Sequence, residues 1–392
     1  MRIAAVSPRV EASRVGGSQA RIGGILRRLA ERHEVRLLSQ PRLAAVRSPL
    51  PGGGFERSNP SLAAALVSEL GDRSWTTHPV LSGIGLGLTR REPVRRLLRW
   101  GDVVLVEFPW QFREAARLAG ERPIVLSSHN VEAERYESMA AATGVRLSRR
   151  AWLRFIGARE REAVEQADLI VAVSEADRRG FAERYGADPR RIVVAPNGAD
   201  VVAIEPAGAD RRARAREELG LPPDRPVALY AGADVTPNRR GLEWVRALAR
   251  ATDRFTFLVV GKVGGAPRRE GALHVTGWIP DFTVALAAAD LALCPIEFGG
   301  GTKLKLIEAI AAGLPAVTFE ESLAGTDLRD GEHVVVAERS AGGLRAALDA
   351  LADEPERAAR IGAAARAHAV EHHDWRQSAA AVERALVELV GR

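Results

Sequence analysis

Cysteine is almost missing from this chain of 392 residues: Cys294 is the only one, which excludes an internal disulfide, and its apolar surroundings read as a buried structural thiol. Lysine is nearly as scarce. Of 56 basic side chains only Lys262, Lys303 and Lys305 are lysines. Wherever a positive charge is enough the chain uses arginine, so the exceptions mark places suited to a compact ammonium. No Asp-x-Asp pair occurs, and the adjacent His372 and His373 lie in a charged segment, so no metal-ligand cluster is expected. Aromatic residues make up 5%, and the basic stretches lack interleaved aromatics, which argues against a nucleic-acid surface. No window approaches the ~18 uninterrupted apolar residues of a membrane span. Arg9, Glu11 and Arg14 interrupt the stretch where a signal peptide needs its apolar centre, so a cytoplasmic location is expected.

What is present is the composition of a folded protein, 46% hydrophobic and 27% charged. The length exceeds one comfortable core and predicts two domains of roughly 200 residues each. The net charge of +6 conceals an asymmetry: residues 1–196 carry 32 arginines against 22 acidic side chains, and the remainder is net acidic. Arg90, Arg91, Arg95, Arg96 and Arg99 gather around Trp100. That cluster suits an anionic acceptor or peripheral contact with an anionic membrane at its inner face, and a solvated helix face would look the same.

A βα rhythm runs through the first half. Met1 to Ser7 reads as a strand, Val15-Gly16-Gly17-Ser18 as a glycine turn with Ser18 as a cap, and Ile22, Ile25, Leu26 and Leu29 as a helix face. Val35 to Leu38 is a second strand, and Gln40 to Pro60 a long surface loop. Val103 to Phe108, Ile124 to Ser127 and Leu169 to Val173 are apolar runs of the kind buried in a parallel sheet. Ser128-His129-Asn130 follows one of them, at a carboxyl end where open α/β sheets place ligands; a lone His there is also a common structural residue. Arg149 to Gln166 is a helix, Ser174 caps another, and Ile192 to Ala195 runs into a Pro196-Asn197-Gly198 turn.

Asp200 to Pro226 is polar, carries one short helix around Arg211 to Leu219, and reads as the inter-domain crossing. The rhythm then restarts with strand Val227 to Ala231, loop Gly232 to Asn238, helix Gly241 to Arg250 and strand Phe255 to Val260. The densest stretch is Leu291 to Phe319. A strand ends at Pro295, Phe298 to Thr302 offers a backbone with little obstruction, and a helix follows over Lys303 to Ala312. Unpaired N–H groups at such a helix start attract phosphate. Lys305 and Glu308, three residues apart, point the same way. A glycine cluster alone would equally be an ordinary βαβ turn. Two successive α/β runs, each with a glycine loop, imply two doubly wound Rossmann-like domains facing across a cleft. The expected divisions are 1–198 and 199–374, with the helix 375–392 packing back near the first.

Gly16-Gly17, His33-Glu34-Val35, His129-Asn130, Val173-Ser174, Pro196-Asn197-Gly198, Gly232 through Asn238, Gly277 through Asp281 and Gly299 to Pro315 together form a pattern. It resembles glycosyltransferases of GT-B architecture, specifically the retaining, nucleotide-sugar-dependent glycosyltransferases of group 1 (family 4). The likeness runs nearly end to end, with Gly299 to Pro315 its most specific part. One departure stands out. The family commonly has two glutamates with seven residues between them, and only the second, Glu308, is kept; the first position is Gly300. Some members are similar to this chain in carrying Gly-x-Gly-Thr-x-x-Lys instead. Many relatives have Arg followed by Lys-Gly near the Gly232 loop, where this chain has Asn238-Arg239-Arg240-Gly241.

The resemblance implies that the second domain binds a nucleoside diphosphate sugar and that the first, basic domain holds a glycan, lipid-linked or small-molecule acceptor. It implies Glu308 on the ribose hydroxyls, and backbone N–H groups near Gly301 and Thr302 with Lys305, Lys303 or Arg239 on the diphosphate. Glu297 is the candidate to replace the lost sugar contact, His129 faces the sugar, and Gly16-Gly17 let the first domain close over the phosphates. With Gly232 and Asn238 these are the expected site residues; no cofactor and no metal are called for. The alternatives are a nucleotide-sugar epimerase of the same fold and an inactive nucleotide-sugar-binding protein.

Overall fold

The computed structural model describes residues 1–7, 17–39, 47–49, 55–58, 91–143 and 148–391. The chain divides into two compact units, one of residues 1–196 with 375–392 and one of residues 197–374. Each is built on a mostly parallel sheet flanked by helices.

The first unit runs β1 (Arg2–Ser7), α1 (Gly17–Leu29), β2 (Glu34–Ser39), β3 (Arg47–Pro49), β4 (Phe55–Ser58), α2 (Arg91–Trp100), β5 (Val103–Glu107), α3 (Phe112–Ala119), β6 (Ile124–Ser127), α4 (Glu132–Thr143), α5 (Ser148–Gln166), β7 (Leu169–Ala172), α6 (Glu175–Tyr185) and β8 (Ile192–Val194). Among the described residues the sheet order is β3-β4-β2-β1-β5-β6-β7-β8, parallel apart from the β3–β4 pair. Every residue of β5, β6 and β7 is buried, as expected of strands covered on both faces. Each fully buried valine or leucine contributes roughly 1.5–3 kcal/mol.

The second unit continues with α7 (Ala209–Glu218), β9 (Val227–Ala231), α8 (Thr236–Ala251), β10 (Thr256–Val260), β11 (Arg268–Glu270), β12 (Leu273–Gly277), α9 (Phe282–Ala288), β13 (Leu291–Cys294), α10 (Leu304–Ala311), β14 (Ala316–Thr318), β15 (Val335–Val336), α11 (Ala341–Asp353) and α12 (Pro355–His372). Its strand order is β11-β12-β10-β9-β13-β14-β15, parallel apart from β11–β12. The final helix, α13 (Trp375–Val390), belongs to the first unit. There the Trp375 ring lies against Gly24, where a Cβ would come within 2.4 Å of it.

Several expectations need correcting. The stretch expected as a surface loop contains β3 and β4, which extend the sheet; the rest of it lies outside the described residues. α1 already begins at Gly17, so Ser18 sits inside the helix instead of capping it. α8 begins at Thr236, five residues before Gly241, because Pro237 is pre-set for a first helical turn. Asn238 and Arg239 are therefore helical. Ser174 does cap α6, its side chain accepting from Asp177 N. Cys294 is buried, and burial pushes its thiol up. Among the described residues no helix is long and apolar enough to cross a membrane. On α2, Arg91, Arg95, Arg96 and Arg99 are exposed opposite buried Val94, Leu97 and Leu98; Arg90 lies outside the described residues.

Candidate functional site

In the second unit β9 lies between β10 and β13, so the connections leaving β9 and β13 go to opposite neighbours. Crevices at such switch points, beyond the carboxyl ends of the strands, are where open α/β sheets take ligands. The β9 connection is Gly232 to Val235, and the β13 connection is Pro295 to Lys303. A Cβ on Gly261, just after β10, would lie 2.4 Å from Gly232 O, so the β9 connection is seated directly on the backbone that follows β10.

The β13 loop is held open by its own residues. Gly299 and Gly301 have φ of 105° and 68°, where only glycine is unstrained. Lys303 turns its ammonium back on the loop, donating to Gly299 O at 3.2 Å, Gly300 O at 3.3 Å and Gly301 O at 2.7 Å. With carbonyls gathered by Lys303, the N–H groups of Leu304 and Lys305, which have no intrahelical acceptor, suit an anion. Thr302 ties the loop down by donating to Gly325 O at 3.3 Å.

Lys305, in the first turn of α10, donates to Asn238 Oδ1 at 2.6 Å, and its ammonium lies 4.7 Å from the centre of the Tyr230 ring. Asn238 is fixed in turn, donating to Ala233 O at 2.8 Å and accepting the Tyr230 hydroxyl on its carbonyl at 2.7 Å. Among the described residues no carboxylate lies within ion-pair distance of Lys305. Burial, with help from the Lys303 charge, pushes its amine down to about 8. Glu308, one turn further along, is half-buried; burial alone pushes its carboxyl up to about 7. An ammonium without a counter-charge and a carboxyl without a donor among the described residues, both partly desolvated, are the groups a charged hydroxylated ligand would satisfy.

The neighbouring candidates are engaged differently. Arg239 is exposed and paired with Asp234 at 2.6 Å. Glu297 accepts from Trp244 Nε1 at 3.1 Å, with Arg240 at 3.9 Å.

In the first unit, His129 follows β6 and is buried. Its Nε2 lies 2.9 Å from Glu107 Oε2, and its ring stacks on Phe108 with centres 4.0 Å apart. Desolvation pushes the imidazole down, and the Glu107 carboxylate partly offsets this. Phe108 has a φ of 73°, strained for a bulky side chain, which a packed ring pair must outweigh. The loop beyond His129 is gripped from below: Glu160 accepts from Glu132 N and Ala133 N at 2.6 and 2.9 Å, and Asp177 accepts from Val131 N at 3.2 Å. Gly17 is exposed at the start of α1, and Gly16 lies outside the described residues.

The structure thus brings Gly232, Asn238, Gly301, Thr302, Lys303, Lys305 and Glu308 to one edge of one sheet. Sequence reasoning missed Glu107, Tyr230 and the buried Arg21, which donates to Ala195 O at 2.7 Å. Glu107 had a visible signal: a carboxylate closing an otherwise apolar strand. It also missed the cluster of Asp327, His368 and His372, whose ligand atoms lie within 4.8 Å of one another. The expectation of no metal-ligand cluster is thereby corrected, since the fold brings a distant loop to an i, i+4 histidine pair.

Comparison with known proteins bears on the same elements. The model of the family described as Glycosyltransferase Family 4 matches residues 15–202, and that described as Glycosyl transferase-like matches residues 238–384. The chain is similar to D-inositol 3-phosphate glycosyltransferase 2 of Catenulispora acidiphila, 31% identical over 299 residues, covering 69% of this chain and 67% of that protein. The D-inositol 3-phosphate glycosyltransferase of Nocardia farcinica is 30% identical over 304 residues, covering 71% and 65%. The chain spans about two thirds of the length of these curated relatives. Among solved structures, sucrose-phosphate synthase from Thermosynechococcus elongatus superposes with a TM-score of 0.77 at 16% identity, covering 100% of this chain and 99% of that one. Anabaena HepE in complex with UDP-glucose superposes with 0.70 at 16%, covering 99% and 100%.

Proposed function

The chain belongs to the group 1 glycosyltransferases of GT-B fold, and we propose that it moves a sugar from a nucleoside diphosphate sugar to a hydroxylated acceptor with retention at the anomeric carbon. The observation that carries the reading is Lys305, an ammonium held by a neutral amide and a ring, with no carboxylate beside it among the described residues. It stands at the mouth of a glycine loop and one turn before Glu308.

As the glycosidic bond breaks, negative charge grows on the departing diphosphate. Lys305 and the first N–H groups of α10 are aimed where that charge develops, and such preorganised donors act most strongly when partly desolvated. They supply positive charge from the chain itself, so the transfer is proposed as metal-independent. Glu308 accepts the ribose hydroxyls, a role for which a carboxylate offers two oxygens and no competing donor. Lys303 keeps the loop carbonyls turned away from the phosphates. Arg239 would have to leave Asp234 to take part and is the secondary cation. Glu297 lies three residues before Gly300, and its bond to Trp244 makes it a positioning group before it is a sugar contact.

The first unit is assigned the acceptor side, with His129 as its polar contact to the transferred sugar and Glu107 fixing the imidazole. The curated relatives make inositol 3-phosphate the first acceptor to test, and the UDP-glucose of the HepE complex makes uridine the first nucleotide. A screen of nucleoside diphosphate sugars, read by calorimetric binding and by release of nucleoside diphosphate with and without acceptor, tests the reading. Absence of affinity for any nucleoside diphosphate would sink it.

A further inference from the structure

Away from the donor loops, the second unit gathers four of the chain's eight histidines. His368 and His372 lie one turn apart on α12, with ring centres 4.5 Å apart. His333 and His373 have ring centres 4.5 and 5.6 Å from that of His368. Asp327, from the segment between β14 and β15, reaches His368 Nε2 at 2.8 Å. The ligand atoms of Asp327, His368 and His372 all lie within 4.8 Å of one another.

A hydrogen bond between Asp327 and His368 would account for those two alone. It does not account for His372, whose nearest charged partner is its chain neighbour Glu371 at 3.7 Å. Nor does it account for a third and fourth imidazole packed onto His368. Exposure is graded in a telling way: the His368 side chain is 9% exposed, while His372 and Asp327 are 45% and 69% exposed. The cluster is fixed on its inner side and open to water on its outer side. Two imidazoles and one carboxylate, with room for water as a fourth ligand, make a donor set that suits zinc and its neighbours, whereas magnesium and calcium take oxygen ligands.

We propose that Asp327, His368 and His372 form a site for a divalent transition-metal ion of the zinc class. On binding, His368 takes the tautomer that leaves Nε2 bare, and its hydrogen bond to Asp327 is exchanged for a shared cation. The inner wall is already braced. His373, the residue after α12, lies 2.8 Å through Nδ1 from Asn197 O and accepts Ala199 N on its carbonyl at 2.7 Å. An ion here would fasten the 327 loop to the end of α12, beside the points where the chain enters and leaves the second unit. The site is independent of the sugar-transfer reading.

The test uses the full chain after chelator treatment and desalting. Zinc sulfate titrated calorimetrically is expected to show one saturable site per chain and to raise the melting temperature, with magnesium chloride doing neither. His372→Gln and Asp327→Asn, both at solvent-exposed positions, are expected to keep the metal-free melting temperature. Each should weaken zinc binding by more than about tenfold and abolish the thermal shift. Cobalt substitution should give the intense visible bands of a four-coordinate ion in the wild type and not in the variants. No saturable zinc binding, or binding undiminished in both variants, overturns the proposal.

Discussion

Lys305 Nζ donates to Asn238 Oδ1 at 2.6 Å, which joins the first turns of α10 and α8 across the switch point of the second sheet. The partner is a neutral amide, so the ammonium keeps its charge for a ligand. Replacing the lysine should therefore cost phosphate binding specifically. Lys305→Met, which keeps the side-chain length, is expected to weaken nucleoside diphosphates by about tenfold to a hundredfold, the worth of one charge-assisted hydrogen bond of roughly 1.5–3 kcal/mol. The free nucleoside should lose far less. Calorimetry with both ligands checks this, and an equal loss for the two would remove Lys305 from the phosphates.

Nucleotide binding should depend on pH in a bell. In the proposed reading Glu308 accepts ribose hydroxyls as a carboxylate, and burial raises its carboxyl to about 7, so affinity is expected to fall as pH drops through that value. Lys305 carries its charge only below about 8, so affinity also falls as pH rises past it. The optimum is expected between about 7 and 8, and Glu308→Gln should flatten the acid limb while leaving the alkaline one. A profile flat from pH 6 to 9 would show that neither group meets the nucleotide.

The same carboxyl should cost stability in the free protein. Its folded value lies above the ordinary 4.5, so its contribution is fully present below 4.5 and is lost as pH rises through about 7. At pH 8 the carboxylate is half-buried without a hydrogen-bond donor among the described residues. Glu308→Gln is therefore expected to stabilise the free protein at pH 8 by roughly 1–3 kcal/mol while weakening nucleotide binding, and to change little at pH 5. Thermal unfolding of both proteins at the two pH values decides it; destabilisation at pH 8 would mean the carboxylate has a structural partner after all.

The proposed donor loop is legible because it lies within one stretch of chain. Strand, glycines, lysines and Glu308 follow one another over Leu291 to Phe319, so spacing alone put them together. What could not be read were the relationships that the sheet creates. Asn238 is 67 residues from Lys305, and the loop expected over Gly232 to Asn238 ends earlier in the structure because Pro237 sits inside the first turn of α8. Glu107 closes β5 and His129 follows β6, and the parallel pairing that sets Glu107 beside Ser127 brings the two side chains together. Lys303 is one of the cations that the resemblance sets on the diphosphate, and its ammonium lies 2.7 Å from Gly301 O of its own loop, a contact that composition does not reveal. The histidine cluster went unseen for the same reason: two members share a helix, and the third arrives from a loop 41 residues away.

His129 and Glu107 predict a division of labour. His129→Ala removes a buried imidazole of the first unit and leaves the elements around Lys305 and Glu308 untouched, so it should lower kcat with nucleotide affinity unchanged. Glu107 acts through His129. Its carboxylate holds Nε2 at 2.9 Å and offsets part of the desolvation that pushes the imidazole down. Glu107→Gln keeps a hydrogen-bond acceptor and removes the charge, so the imidazole should shift further down and any acid limb of transfer that it governs should move to lower pH. The expected loss in kcat is smaller than for His129→Ala, on the order of tenfold, since one charged hydrogen bond becomes a neutral one. Steady-state kinetics over pH, beside calorimetric nucleotide binding for both variants, separates the roles. Nucleotide affinity falling equally in both would place His129 on the nucleotide and not on the transferred sugar.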